Sequence, residues 1–183
     1  MTHGIQVVGA RHGDISRLYT SHWVSQVSFD EPIVMASISP KHDTYPLLVA
    51  SGRFSISLLA GDQLGPAQYF SYPGRKFRYL ADEMVTDWEG LPVVVDAVAW
   101  MAAEVIERKV SLAAVGGDVA LDHDLVFARV VSVSEGRLQA PALTYSSRAG
   151  WRIADTKARE PGTSVRDVLL ARLDGLEPET EAE

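Results

Sequence analysis

Two predicted strands folded back on each other between residues 22 and 39 constrain the fold of this chain more than any other segment. The turn between them is Phe29-Asp30-Glu31-Pro32, in which proline fixes φ and cannot continue a central strand. The first strand alternates in part between apolar and polar residues, whereas residues 33–36 are apolar on both faces. This pattern predicts a hairpin with a buried second strand. A polar loop, residues 39–46, follows it and runs into a helix.

Further short strands are predicted on both sides of this hairpin, because apolar or alternating runs recur there between turn residues. They cover residues 5–10, 54–58, 92–96, 109–115, 125–133 and 138–145. Residues 14–20 are expected to form a surface loop. Residues 97–108 fit a helix by their composition and a strand by their alternation, so both remain open at this point.

Two short helices and one terminal helix complete the prediction. The first is capped by Asp43 or Thr44 and ends at Gly52, and the second opens at residues 61–63. The terminal helix begins after Thr163 or Ser164, and the acidic tail beyond it is expected to fray. Roughly six to eight strands with few helices favour a closed barrel or a sandwich with helical decoration.

The bulk properties of the chain exclude several classes of function. Its 183 residues suit one sizeable core, and its formal net charge of −7 leaves no basic footprint for nucleic acid. The absence of cysteine excludes disulfides, thiolate metal sites and cysteine nucleophiles. No segment approaches the ~18 unbroken apolar residues of a membrane helix, and the start lacks a signal-peptide pattern. A soluble, cytoplasmic protein without membrane partners is expected.

Three short segments carry candidate binding chemistry, and each has a simpler explanation. The hydroxyls, the Lys41 ammonium and the helix-start amides of residues 39–45 could hold an anion, or they form an ordinary helix cap. The small polar residues beside Trp23, residues 20–23, could contact a flat ring system, unless the tryptophan belongs to the core. The pair Asp122-His123 could orient a charged ligand, or it is a solvated loop pair. No Gly-x-Ser-x-Gly or phosphate-binding glycine motif is present.

The order of these segments resembles the flavin reductase-like, FMN-binding split-barrel family. Members of that family carry a pattern similar to Met-Thr-Ala-Ser-Trp-Val-Thr-x-Val-Ser-Phe-Asp-Pro-Pro-Leu-Val. This chain has Leu18-Tyr19-Thr20-Ser21-His22-Trp23-Val24-Ser25-Gln26-Val27-Ser28-Phe29-Asp30-Glu31-Pro32-Ile33-Val34 at the matching place. A Ser/Lys/Thr loop, a Gly-x-Phe-x-Ile strand at residues 52–56, Asp62-Gln63 and Lys76-Phe77 follow in the family's order, over roughly residues 4–152.

The resemblance implies a mainly β fold, an FMN-binding split β-barrel with short decorating helices. The barrel domain would span residues 1–160, with the C-terminal helix and tail at 161–183. It implies a strand for residues 97–108. The implied flavin-binding residues are Thr20, Ser21, His22, Trp23, Ser37, Ser39, Lys41, Thr44 and Tyr45, and the family's nicotinamide-associated Gly-Asp-His motif falls on Leu121-Asp122-His123. His22 and Leu121 depart from the family's serine and glycine.

The activity implied by the resemblance is a homodimeric flavin reductase. Hydride from NADH or NADPH would reduce FMN, or FAD, and the reduced flavin would pass to a partner such as a monooxygenase. No side chain is assigned as a general acid or base, because hydride transfer between stacked rings requires alignment rather than a proton donor. The alternative is an electron carrier that holds FMN tightly without turning over NAD(P)H, which the altered residue Leu121 favours.

Overall fold

The computed structural model describes residues 2–71 and 83–146, and also the backbone of residues 150–153. The described chain is mainly β, as predicted. The helix and tail predicted for residues 161–183 lie outside the described residues and stay a prediction. No helix within the described ranges is long and apolar enough to cross a membrane.

Twelve strands and two helices make up the described residues. The strands are β1 (Thr2–Gly4), β2 (Gln6–His12), β3 (Ile15–Ser21), β4 (Val24–Gln26), β5 (Ile33–Ile38), β6 (Arg53–Leu58), β7 (Val85–Trp88), β8 (Leu91–Val94), β9 (Ala99–Leu112), β10 (Val119–Glu135), β11 (Leu143–Ser146) and β12 (Gly150–Ile153). The helices are α1 (Tyr45–Ser51) and α2 (Leu64–Tyr69).

The largest sheet has seven antiparallel strands in the order β3-β2-β6-β9-β10-β5-β4. Its two edge strands, β3 and β4, are consecutive in sequence and are joined by only His22 and Trp23. In a flat seven-stranded sheet these edges would be about 29 Å apart, whereas this short connection spans at most about 11 Å. The sheet must therefore curl until its edges nearly meet, which gives the predicted split barrel.

Two clusters of buried side chains lie on opposite sides of β2. Val8 faces the interior of the curled sheet, together with Phe54, Ile56 and residues of β5 and β10. Val7 faces the other way and packs with Phe70, which follows α2, and with Leu143 at the start of β11. Because alternate residues of a strand point to opposite faces, β2 is buried on both sides.

The elements around the predicted hairpin are confirmed. β4 and β5 pair with Val24 opposite Ala36, on either side of the predicted proline-containing turn. Helix α1 follows Thr44, has proline in its first turn, and ends at Gly52 with φ of 66°. Glycine adopts this left-handed conformation without a steric penalty, as the C-cap prediction required. Strand β6 also coincides with the predicted strand at residues 54–58.

The loop predicted for residues 14–20 is wrong, since these residues form most of β3. β3 pairs with β2 along its whole length after a turn at Gly13, where φ is 57°. The sequence of β3 mixes polar and apolar residues without a clear alternation, so its pattern did not indicate a strand. As an edge strand it buries Ser16, Tyr19 and Ser21 rather than an unbroken apolar row.

The helix suggested by the composition of residues 97–108 is also wrong, and the strand implied by the resemblance is confirmed. β9 lies between β6 and β10, and Ala102 and Ala103 are fully buried there. Packing between two partner strands outweighs the weak helical propensity of alanine and glutamate. β10 also begins earlier than predicted, at Val119, so Asp122 and His123 lie on a strand and not in a loop.

Two short strands outside the seven-stranded sheet also differ from prediction. The strand predicted for residues 138–145 is reduced to β11, Leu143–Ser146. β7 was not predicted, and it pairs with β8 through a tight turn at Glu89 and Gly90, which both have positive φ. The sequence around this hairpin is rich in glycine, proline and charged residues, so it showed no strand pattern. Its two-residue turn has the positive φ angles that match the twist of paired strands.

Strand β8 passes close to the backbone of β2 at Gly9. A Cβ atom at this position would lie 2.3 Å from the carbonyl oxygen of Pro92 and 2.7 Å from Oγ of Ser55. Oγ of Ser55 also donates to the Pro92 carbonyl at 2.5 Å, so this oxygen is already held in place. A side chain at Gly9 would have to displace backbone, which is costly in a close-packed interior.

We therefore expect Gly9→Ala to lower the free energy of unfolding by about 1–3 kcal/mol, as measured by urea denaturation. Gly65→Ala is the matched control, because Gly65 lies in α2 and a Cβ atom there would have no neighbour within 4 Å. Its helical site should tolerate or favour alanine. Equal stability of the Gly9→Ala variant and the wild type would contradict the close approach of β8 to β2.

Candidate functional site

A cleft opens where the edges of the curled sheet meet, and we call it the seam cleft. Its volume is about 460 Å³, which is within the range of small-molecule sites. It is lined by Ile5, Tyr19, Thr20, Ser21, His22, Trp23, Ser37, His42, Ser71, His123 and Tyr145. Six of the predicted site residues are therefore brought together in one cleft, although they come from three separate segments of the chain.

The wall formed by residues 20–23 is held by its own hydrogen bonds. The Thr20 hydroxyl donates to the carbonyl of Ala67 at 2.7 Å, and the Ser21 hydroxyl accepts from the Trp23 amide at 3.1 Å. The Ser37 amide donates to the Trp23 carbonyl at 3.0 Å, which ties the wall to β5. This segment is thus ordered before any ligand arrives, which reduces the entropic cost of binding.

Trp23 is not a core residue, because 45% of its surface is exposed. The His22 ring meets it edge-on with the ring centroids 5.1 Å apart. His22 also lies 5.5 Å from the rings of His3 and Tyr145. Partial burial, followed by repulsion from His3, lowers the pKa of His22, so its ring is neutral near pH 7. The wall therefore offers uncharged aromatic surface to a flat ligand.

His123 reaches the opposite side of the seam cleft through an irregularity in β10. Between the pairs Ala120–Ser111 and Leu125–Lys109, β10 has four residues (121–124) where β9 has one. We call residues 121–124 the β10 bulge. Extra residues of this kind re-aim side chains and recur next to active sites. The His123 ring consequently stands edge-on to Trp23, with the centroids 4.9 Å apart.

Asp122 lies beside His123 but faces solvent. Its carboxylate is 3.1 Å from Nδ1 of His123, and 96% of its side chain is exposed. The hydrogen bond to His123 is the main cause that lowers the pKa of Asp122, and Lys41 contributes in the same direction. Asp122 can therefore orient the imidazole from outside, whereas only His123 of the pair lines the seam cleft.

The loop of residues 39–44 lies next to the bulge but outside the cleft lining, except for His42. Ser39 accepts hydrogen bonds from the amides of Lys41 and His42, at 3.3 and 3.0 Å. Thr44 is buried at the start of α1, and its side chain makes no capping hydrogen bond. Because several amides are already used within the loop, an anion would depend mainly on the Lys41 ammonium and the hydroxyls.

Tyr45 is predicted to contact the flavin, but its hydroxyl forms hydrogen bonds with other residues of the chain. It donates to a carboxylate oxygen of Asp124 and accepts from Nη1 of Arg108. Four predicted residues, Ser39, Lys41, Thr44 and Tyr45, are thus beside the seam cleft rather than in its lining.

Sequence reasoning missed three aromatic residues of the cleft lining, Tyr19, His42 and Tyr145. The rings of Tyr19 and His42 stack with centroids 4.6 Å apart. Burial, and then repulsion from His123, lowers the pKa of His42. Both histidines line the seam cleft, so the loop and the bulge approach each other there. In the sequence, His42 lies inside the predicted loop of residues 39–45, and Tyr19 directly precedes the predicted segment of residues 20–23. These positions alone could have indicated that the two residues belong to the site.

Tyr19 carries a buried hydroxyl that makes no hydrogen bond of ordinary geometry within the described residues. Burial raises the pKa of Tyr19, and the nearby Ser21 hydroxyl opposes this by a smaller amount. An unpaired buried hydroxyl costs free energy. No group of three or more side chains suited to a metal ion occurs among the described residues. The lining of the seam cleft consists mainly of aromatic rings and hydroxyl groups.

The chain is similar in sequence to two bacterial flavin oxidoreductases. It is 32% identical over 149 residues to the NADH-dependent flavin reductase StyB of Pseudomonas fluorescens, across 79% of this chain and 80% of that protein. It is 30% identical over 147 residues to the NADH:riboflavin 5′-phosphate oxidoreductase of Streptomyces pristinaespiralis, across 79% of this chain and 74% of that protein.

Its fold is similar to solved structures. The styrene monooxygenase flavin reductase (SMOB) of Pseudomonas putida S12 superposes with a TM-score of 0.70 at 24% identity, covering 85% of this chain and 93% of that chain. The family model described as the flavin reductase like domain matches residues 1–151. Because this match covers most of the chain, the chain belongs to the flavin reductase-like family.

Proposed function

We propose that this protein is an NAD(P)H-dependent flavin reductase that transfers hydride from NADH or NADPH to FMN or FAD. The observation that carries the proposal is the seam cleft, which the half-exposed Trp23 and the bulge residue His123 line together, with their rings in edge-on contact. Two flat rings must lie against each other for hydride transfer, and a cleft lined by aromatic rings and hydroxyls suits this requirement. The relatives named as NADH-dependent reductases support the same activity.

The residues present fit a flavin. The seam cleft combines apolar aromatic surface with hydroxyls of Thr20, Ser21 and Ser37 that can meet the polar edge of an isoalloxazine ring. When bound, the flavin supplies the hydride-accepting chemistry. The residues of this chain bind the ring, align it and shield it from water, and no side chain is needed to move a proton at the hydride-transfer step.

The flavin phosphate is assigned in this proposal to Ser39, Lys41 and Thr44. Lys41 is exposed, and it lies close enough to Asp122 to lower the pKa of that carboxyl. An ammonium group is a compact cation suited to phosphate. The nicotinamide is assigned to Asp122 and His123, of which His123 lines the cleft and contacts the Trp23 ring edge-on. In this arrangement the two ligands would meet at the seam.

We also propose that the reduced flavin passes to a partner enzyme such as a monooxygenase. Support comes from the solved reductase component of a styrene monooxygenase, whose fold this chain shares. Since NADH and NADPH are cytoplasmic metabolites, the cytoplasm is the proposed location.

The first experiment is anaerobic mixing of the protein with NADH or NADPH and excess FMN or FAD. We expect the visible absorbance of many equivalents of oxidised flavin to be lost, because a reductase turns over. Bleaching of no more than one bound equivalent would contradict reductase activity and favour the electron carrier instead.

The role of His123 is tested by His123→Ala. Loss of its contact should raise the KM for NADH about tenfold, equivalent to about 1.4 kcal/mol, and should change the Kd for FMN much less. His12→Ala is the control, because His12 lies exposed at the end of β2 and outside the cleft lining. Equal effects of His123→Ala on KM and Kd would refute the nicotinamide assignment.

A homodimer is proposed on the strength of the arm formed by the far ends of β9 and β10, residues 106–120. Ile106, Val110, Leu112, Val115 and Val119 project from it, each at least 44% exposed. An apolar surface of this kind is a common mark of a protein interface. The arm extends from the strand that carries His123, so a second copy packed on it would lie near the seam cleft.

We expect the wild-type protein to be a dimer by light scattering after size exclusion, and Val110→Lys to weaken dimerisation at least about tenfold, as a buried charge does at an interface. Ile15→Lys is the matched control, since Ile15 is 51% exposed and Val110 is 52% exposed. A wild-type monomer, or an equal effect of the two variants, would rule out the arm as the interface.

A further inference from the structure

We propose that Asp124 is a positioning residue for hydride transfer: through Tyr45 and Arg108 it fixes the β10 bulge so that His123 faces the seam cleft. The inference rests on the proposed nicotinamide role of His123 and adds residues that do not themselves line the cleft.

Asp124 is a carboxylate buried where the bulge ends. It is 3% exposed, and it is the first residue of β10 to pair with β5, opposite Ile38. Burial of a carboxylate is costly unless hydrogen bonds and an opposite charge compensate. The chain supplies both, which indicates that this position is held in one defined arrangement.

The compensating groups come from two other elements. The Tyr45 hydroxyl, from the start of α1, donates to Oδ2 of Asp124. Nη1 of Arg108, from β9, lies 3.4 Å from the same oxygen and also donates to the Tyr45 hydroxyl. The guanidinium carbon is 5.8 Å from the centroid of the Tyr45 ring, within the range of a cation–π contact.

Tyr45 remains a neutral donor in this cluster. Burial is the main cause that raises its pKa, and the hydrogen bond and charge of Asp124 add to this, whereas Arg108 opposes it. A neutral phenol can keep donating its proton to the carboxylate at any pH at which the enzyme would work.

The cluster joins the two segments that the proposed function brings together. Tyr45 directly follows the loop of residues 39–44, and Asp124 directly follows His123. Regular pairing with β5 begins at Asp124, so an anchor on Asp124 fixes the backbone at the point from which His123 projects. The His123 ring itself bonds to the solvent-facing Asp122, and an exposed pair of this kind is a weak constraint.

A purely structural role is the competing explanation, because removing one partner of a buried ion pair often destabilises a protein. Such a role would lower the melting temperature without changing the KM for NADH selectively. The test therefore needs a readout of nicotinamide use, a readout of flavin binding and a readout of stability.

The variants are Asp124→Asn, Tyr45→Phe and the two combined, measured for KM of NADH, kcat, Kd of FMN and melting temperature. We expect each single variant to raise the KM for NADH about fivefold, the equivalent of one hydrogen bond, with the Kd for FMN changed less than about twofold. The double variant should be no worse than Asp124→Asn, because both substitutions break the same link. Tyr45→Phe removes one oxygen only and keeps the test usable if Asp124→Asn folds poorly.

Arg129→Gln is the matched control. It breaks an exposed ion pair with Glu31, at 3.0 Å, on the same strand but away from the bulge. Its kinetic constants should equal those of the wild type. A lowered melting temperature with an unchanged KM for NADH in both Asp124→Asn and Tyr45→Phe would overturn the inference, as would equal rises in KM and Kd.

His123→Ala separates this inference from the proposed function. If His123→Ala raises the KM for NADH and the Asp124 and Tyr45 variants do not, the positioning role alone fails. If His123→Ala leaves that KM unchanged, the nicotinamide assignment fails, and the positioning role fails with it even if Asp124→Asn alters the KM.

Discussion

His22 and Trp23 join the opposite edges of a seven-stranded sheet, and most of the structure follows from the shortness of that connection. Two residues cannot cross the width of a flat sheet, so the sheet curls, and the core side chains fill its concave face. The connection lies outside both edge strands, at the open seam, where the Trp23 carbonyl accepts a hydrogen bond from the Ser37 amide. A partly exposed tryptophan and a histidine therefore lie where the barrel is split, and they line a cleft to which β10 contributes His123.

The bulge in β10 supplies the second half of the site. A regular strand would keep its side chains in register with β9, whereas the extra residues at 121–124 bring His123 to Trp23. Such an irregularity needs support, because the ladder hydrogen bonds are locally lost. The buried Asp124, held by Tyr45 and Arg108, lies at the point where regular pairing resumes and links the bulge to the start of α1.

Local sequence patterns predicted the hairpin of β4 and β5, α1 and β6, because each is bounded by a proline, which fixes φ, or by a glycine, which tolerates positive φ. They failed for β3, a polar edge strand, and left β9 open between a strand and the helix that its alanine-rich composition suggested. In the site, residues 20–23 form a continuous stretch and could be found from sequence. Tyr19 and Asp124 could not, because their importance depends on burial and on partners distant in the chain.

Hydrogen–deuterium exchange, measured with FMN and then with FMN plus NAD⁺, tests the central claim that the seam joins the two ligand sites. We expect FMN to protect the amides of residues 20–24 and 37–44, and NAD⁺ to add protection at residues 121–124. Protection of a different surface by FMN, or no added protection of the β10 bulge by NAD⁺, would contradict it.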